Sequence, residues 1–413
     1  TAVWSGPYCT KILADFGAEV IKVESAKRPD SQRGVPDPPP GSGVYPGRDS
    51  GPKPWNRAGY FNNMNTGKLG LTLDLTRPEG VAIFKRLAKV SDVVIDNFRA
   101  TVMERFGLGY ADLRDVDPSI IVVAMSAHGM SGPERNYGGY GASLEQLTGI
   151  SWLNGYNQEG APYRGGVNYP DPVASLHGVG AILAALRSRR RTGKGQFIDL
   201  SQRESAICIV GESVLDFSMN GRVGERMGNR HRSMAPHGCY RCRGVDSWVT
   251  IAVASDDQWQ RFATAIGSPA WTKDERFRNG LGRLENYINL DRLVEQWTLE
   301  RDHIDVMHLL QSAGVPAAAV YNNVEQIDDP HLTGRGFYEW VTHPEAGTHR
   351  YQGVPVKLSR TPGGIQRPSP CLGQHNDYVL RDLLGLSARE TRDLHDKGVT
   401  NNDPRSVGSP EDG

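Results

Sequence analysis

The segment Gly165-Gly-Val-Asn-Tyr-Pro-Asp-Pro172 sets a carboxylate between two prolines, after a glycine-rich turn and directly before an apolar helical repeat containing Gly178 and Gly180. Asp171 reads first as an N-cap, with Pro172 at the first helical position. The same placement suits a nucleophile, because a carboxylate at a helix N-terminus, after a glycine-rich turn, is expected to be held rigidly and exposed near the sheet edge. Cap and nucleophile are compatible roles.

A second constellation is Asp96-Asn-Phe-Arg99, followed by Arg105, directly after an apolar stretch at Val93 to Ile95. Planar guanidinium forks at the carboxyl end of a strand suit phosphate or carboxylate ligands. A solvated helix face is the alternative reading. Asn65-Thr-Gly-Lys68 precedes a strand and reads equally as a plain turn. Gly129 to Gly141 is rich in Gly, Pro and Ser but lacks the G-x-x-x-x-G-K spacing of a nucleotide loop. The basic run Arg187 to Lys194 falls at a helix end, where cations complement the dipole, and it has no interleaved aromatics.

Composition narrows the classes further. Lys plus Arg and Asp plus Glu each number 47, so no net field draws the 413-residue chain to nucleic acid or to an anionic membrane. No run approaches the roughly 20 apolar residues of a membrane span, and no signal pattern opens the chain, so a cytoplasmic location is expected. The five cysteines, Cys9, Cys208, Cys239, Cys242 and Cys371, are too scattered for a disulfide framework. Cys239 and Cys242 form a lone C-x-x-C, whereas a zinc site needs about four ligands, so no metal is expected.

The elements that must position these residues alternate. A helix is expected from Tyr8 to Phe16, closed by Gly17, then a strand from Glu19 to Glu24. Arg28 to Pro54 reads as a long surface loop. Strands follow at Leu69 to Leu75, Val93 to Ile95, Ser119 to Met125 and Gln196 to Leu200. Helices are expected at Pro78 to Val90 with Thr76 as cap, at Asp171 to Arg187, and at Glu204 to Met219. This order implies an α/β fold with a doubly wound parallel sheet, whose ligands sit at the carboxyl ends of the strands. A sheet of this kind usually opens with a strand, and none precedes Trp4. The first strand is therefore expected in a preceding segment of a longer protein. The expected division is a large lobe over 1–220, a smaller α+β lobe over 221–313 that holds a strand at Trp248 to Val253, and a return to the large lobe over 314–413. Val315 to Val320 resumes the strand pattern, and the tail from Thr400 is polar and expected to fray.

Several ordered blocks together resemble the family III CoA-transferases, of the formyl-CoA and carnitine CoA-transferase type. They are Gly6-Pro-Tyr-Cys-Thr10, Leu13-Ala-Asp-Phe-Gly-Ala18, Val20-Ile-Lys-Val-Glu24, Asn65 to Lys68, Leu73-Asp-Leu75, Asp96-Asn-Phe98, Tyr169-Pro-Asp171 and Arg191-Thr-Gly-Lys-Gly195. Gly228-Asn-Arg-His231, Trp248 to Val253, Gly314-Val-Pro316 and Leu372-Gly-Gln-His375 extend the likeness over almost the whole chain. The resemblance implies a Rossmann-like large lobe built from both chain ends, a small middle lobe, and a homodimer of interlocked subunits. It places the family's nucleophilic aspartate on Asp171. Coenzyme A would be bound by Ser5, Arg33, Thr66, Gly67, Lys68, Asn97, Phe98, Arg99 and Arg105. The glycine-rich flap of formyl-CoA transferases is absent around Met227, so neither formyl nor oxalate specificity is implied.

On that resemblance, Asp171 would relay the acyl group as a mixed anhydride and then carry an aspartyl-CoA thioester, with coenzyme A as substrate and no further cofactor. Backbone donors for the oxyanion are expected from Gly138-Gly139 and Gly165-Gly166, beside Tyr140. A rival of the same fold is an α-methylacyl-CoA racemase, which needs two acid/base groups. Its histidine position falls near Tyr140, and a tyrosine, with an ordinary pKa near 10, is a poor base. His128 lies nearby and reads as a loop residue. A non-catalytic CoA-binding subunit of a tandem fusion is the rival from another class, and an intact Asp171 argues against it.

Overall fold

The computed structural model describes residues 1–156 and 160–407. The chain divides into two compact units, one of Thr1–Ile150, Arg164–Gly221 and the chain from Thr333 onward, the other of Ser151–Tyr163 and Arg222–Leu332.

The larger unit runs α1 (Ser5–Asp15), β1 (Val20–Glu24), α2 (Gly59–Met64), β2 (Lys68–Thr72), α3 (Pro78–Lys89) and β3 (Val93–Asp96). It continues through α4 (Val102–Arg105), α5 (Tyr110–Val116), β4 (Ile121–Ala124), α6 (Gly141–Leu147), then, after α7 (Ile150–Leu153), which belongs to the other unit in all but its first residue, α8 (Pro170–Thr192) and β5 (Gln196–Asp199). β1 pairs with β2 in parallel, Val20 opposite Lys68. A second parallel sheet has the order β3-β4-β5, with Ile121 opposite Val93 on one side and Gln196 on the other. Between β1 and β3 lies a cavity of about 1240 Å3, walled by Val20, Ile21, Val93, Ile95 and Leu186.

β4 reads as a continuous apolar run because both its edges are paired and both its faces are covered. Ile121 and Val123 pack with Cys9 of α1 and with Ala174, Ile182 and Ala185 of α8. Ile120 and Val122 join Ile83, Phe84 and Leu87 of α3 on the opposite side. Burying such aliphatic side chains contributes roughly 1.5–3 kcal/mol each, which makes this two-sided core the frame on which the site is hung.

Three local expectations are corrected. Thr76 does not cap α3, whose N-cap is Arg77; the Thr76 hydroxyl donates to Asp74 instead. The single helix expected over Glu204 to Met219 is broken into α9 (Gln202–Ile207), a tight turn at Cys208–Val210 and α10 (Gly211–Asn220). Ile207, Ile209, Val210 and Gly211 all sit low in helix propensity, and the break falls among them. Val315 to Val320, expected to begin the return to the large lobe, instead supplies a strand to the smaller unit.

That smaller unit is built on an antiparallel sheet, β6 (His237–Arg241), β7 (Trp248–Ala252) and β8 (Ala317–Ala319). Trp259, Phe262, Phe277, Leu290, Val294, Val306 and Leu310 form its core. In the larger unit, the C-terminal chain forms a hairpin of β9 (Tyr338–His343) and β10 (Gly347–Gln352) and then inserts Val379, Leu380 and Leu394 beside Leu71 and Leu73. The tail carries a short turn at Pro404–Val407, and residues 408–413 lie outside the described residues. Among the described residues no helix is long and apolar enough to cross a membrane.

Candidate active site

α8 starts two residues earlier than its sequence implied. Pro170, not Pro172, takes the first helical position; Tyr169 is the N-cap, and Asp171 lies inside the first turn. The helix runs on to Thr192, where Arg189, Arg190 and Arg191 meet the negative end of its dipole and Gly193, at φ +70°, closes it. Asp171 is thus held by helical backbone on both sides, and its amide donates to the Asn168 carbonyl at 3.2 Å.

Asp171 is not exposed near the sheet edge as expected: the residue is only 7 % exposed, because it packs inside the first turn of α8 against the start of α1. Burial pushes its pKa up to about 6, against a partial downward pull from the Ser5 amide at the start of α1. Above that pH the group is a desolvated carboxylate, a stronger nucleophile than one in water. Ser175, one turn further along α8, places its hydroxyl 2.7 Å from both the Ser5 and the Asp171 carbonyls. Asn97, at the carboxyl end of β3, donates to the Ala2 carbonyl at 2.7 Å and to the Ser5 hydroxyl at 3.2 Å, while its own oxygen accepts the Ala2 amide. Ser5, Asn97 and Asp171, distant in sequence, therefore meet at the α1–α8 seam.

The other expected binding residues divide by burial. Arg33 is buried, and its guanidinium is spent on Glu24 at 2.8 and 2.9 Å and on the Trp55 and Pro370 carbonyls. Lys68 is also fully buried and donates to the Pro7 and Met64 carbonyls and to the Asn65 side chain. Desolvation holds its pKa well below the ordinary lysine value. Thr66 is buried beside it, and Gly67 makes the turn at φ +80°. Arg33 and Lys68 thus direct their donors into the protein and support the walls of the site. Phe98 and Arg99 stand exposed just beyond the carboxyl end of β3, and Arg105 stands exposed at the end of α4, where an anionic ligand can reach them. Gly138, Gly139 and Tyr140 lead into α6; Tyr140 caps that helix and is 75 % exposed.

Sequence reasoning missed three residues here. Gly141 abuts the Asp171 carboxylate, and a Cβ on it would fall 2.0 Å from Asp171 Oδ2. Only glycine permits that approach. The signal was present, since Gly141 ends the glycine-rich stretch from Gly129. Tyr60 of α2 stacks edge-on against Trp4 at 6.2 Å, and burial, with the Asp171 charge second, raises its hydroxyl pKa. Nothing in the spacing of residues 60 and 171 foretells that proximity. Ser175 was equally silent.

A buried carboxylate at the ends of parallel strands, backed by two helix starts, is an arrangement for acyl chemistry. Residues 1–376 match the family described as CoA-transferase family III, and the chain belongs to that family. It is an enzyme of coenzyme A transfer between an acyl-CoA and a carboxylic acid. The chain is similar to the succinyl-CoA–D-citramalate CoA-transferase of Chloroflexus aurantiacus, 34 % identical over 399 residues that cover 96 % of this chain and 95 % of the relative. It is 29 % identical to the succinate–glutarate CoA-transferase of Agrobacterium fabrum, covering 94 % of each. Among solved structures, a CAIB/BAIF family protein from Brucella suis superposes with a TM-score of 0.82 at 29 % identity, over 93 % of this chain and 96 % of that one. The mixed α/β fold with parallel sheets is shared with it.

Proposed function

We propose that Asp171 is the covalent relay of the transfer. The observation that carries the proposal is a carboxylate almost wholly removed from water, with its pKa lifted to about 6, packed against the Ser5 amide. An Asp171 oxygen attacks the thioester carbonyl of the donor; the C–S bond breaks, and coenzyme A leaves as thiolate from a mixed anhydride. The thiolate then attacks the aspartyl carbonyl and expels the donor acid as carboxylate. An aspartyl-CoA thioester remains. The acceptor carboxylate attacks that thioester, releasing the thiolate again, and the thiolate takes the acceptor acyl group from the second anhydride. Asp171 is regenerated. Holding thioester and carboxylate together supplies most of the advantage, since oriented partners reach effective concentrations far above those in solution.

Exposed Arg99 and Arg105 suit the phosphates of coenzyme A, while Ser5 and Asn97 fix the N-terminus of α1 beneath the reacting carbonyl. The amides of the turn from Gly138 to Tyr140 are candidates for the oxyanion. Coenzyme A is a substrate, and the chemistry requires no other cofactor. Both relatives carry succinyl-CoA or succinate in their names, which makes succinyl-CoA the donor of choice and a dicarboxylic acid the acceptor. The parallel strands β1 to β5 of the larger unit, in their two sheets, are read as a Rossmann-like, doubly wound arrangement. A homodimer is proposed on the apolar surface left open: Leu176 and Leu183 on α8, and Val214, Leu215 and Phe217 on α10, are each more than half exposed. A cytoplasmic enzyme without nucleic-acid partners is consistent with the neutral charge balance.

Asp171→Ala tests the relay. Transfer from succinyl-CoA should be abolished while coenzyme A binding persists, and hydroxylamine trapping of the wild-type enzyme with donor alone should modify the peptide that contains Asp171. An unmodified peptide during demonstrated turnover refutes the covalent route.

A further inference from the structure

α6 makes two contacts one helical turn apart. Gly141, its first residue, faces the Asp171 carboxylate. Glu145, four residues on and therefore on the same face, is fully buried and accepts the Gly165 amide through Oε1 at 2.8 Å. Gly165 opens the segment that ends in the first turn of α8 with Asp171. Within that segment the backbone bonds are local, Tyr169 to Val167 at 3.1 Å and Asp171 to Asn168 at 3.2 Å. The bond from Gly165 to Glu145 ties the segment to a different element. A carboxyl group withdrawn from water is costly unless its oxygens are used, and a carboxylate accepting an amide hydrogen is among the stronger hydrogen bonds.

We propose that Glu145 is a positioning residue for Asp171: through the Gly165 amide it anchors the root of the loop, so that the carboxylate stays between Gly141 and the start of α1. The proposal rests on the relay role assigned above. One helix then sets both the wall of the site and the place of its nucleophile, and a displacement of about 1 Å at such a centre costs on the order of a hundredfold in rate.

Glu145→Leu removes the acceptor at similar volume, and Glu145→Gln retains an acceptor oxygen. In Glu145→Leu, kcat for transfer should fall about ten- to a hundredfold, with KM for the acyl-CoA within about threefold. Hydrogen exchange at the Gly165 amide should accelerate, and Glu145→Gln should restore both readouts. Glu145→Leu turning over at the wild-type rate overturns the proposal. So does parallel loss of activity and melting temperature in both variants, which marks a merely structural residue. Gly165 exchange reports on the anchor whatever Asp171 does, and Asp171→Ala reports on the relay whatever Glu145 does, so the two failures are distinguishable.

Discussion

Asp171→Asn should stabilise the folded protein at neutral pH, and the gain should vanish in acid. Burial lifts the Asp171 pKa from 3.8 to about 6. The native state therefore binds this proton more tightly than the unfolded chain does. For the wild type, the cost of ionising the buried group is absent below about pH 4, grows between pH 4 and 6, and is constant above that range. Roughly two pKa units at ~1.4 kcal/mol each give about 3 kcal/mol. An asparagine has no such proton to lose, and its side-chain oxygen still accepts the Ser5 amide. Urea denaturation of both proteins at pH 4, 5, 6, 7 and 8 measures the difference. The advantage of the variant should rise by about 3 kcal/mol from pH 4 to 7 and then level off. A difference that stays flat across this range, or that grows toward acid, refutes the claim that Asp171 is desolvated in the folded state. The same ionisation should govern the wild-type enzyme, whose turnover should fall with a single-proton slope below about pH 6.

Gly141→Ala puts a methyl group 2.0 Å from Asp171 Oδ2, so the carboxylate must move; kcat should drop by about a hundredfold with a near-normal melting temperature, and an active variant would show that this wall can yield. Arg33→Met strands Glu24, whose pKa burial alone would raise but which Arg33 and Lys22 hold below the ordinary value. Stability should fall by about 3–5 kcal/mol and recover in part when Glu24 is also replaced; loss of coenzyme A affinity at unchanged stability would make Arg33 a ligand contact instead. Arg99→Ala or Arg105→Ala should weaken coenzyme A binding more at low than at high salt in titration calorimetry, because an exposed phosphate contact is screened, and salt-independent affinity would return both to the solvated surface.

Much of this protein was legible in its sequence. The apolar run at Ser119 to Met125 suited a central parallel strand, and the structure buries every residue of β4. Periodicity and punctuation likewise located α1, α3 and α8, although the break in the 204–219 helix and the first turn of α8 were misjudged by a few residues. Those errors have a common cause. Cap positions depend on which backbone donors find partners, and that is settled by neighbours outside the local window, as when Thr76 turned to Asp74 instead of capping α3.

The residue types of the site were also in the sequence, as an aspartate at a helix start and arginines after a strand. Their roles were not. Arg33, Lys68 and Arg99 are equally cationic on paper, yet Arg33 and Lys68 are enclosed by acceptors and Arg99 faces water. Sequence fixes which groups a chain owns and, through local periodicity, which elements carry them. Only the tertiary fold decides how much water each group keeps and which distant residues touch it. Desolvation is a property of everything packed around a charge, and so the raised pKa of Asp171, the glycine wall at Gly141 and the anchor at Glu145 come into being only when α1, α6 and α8 close on one another.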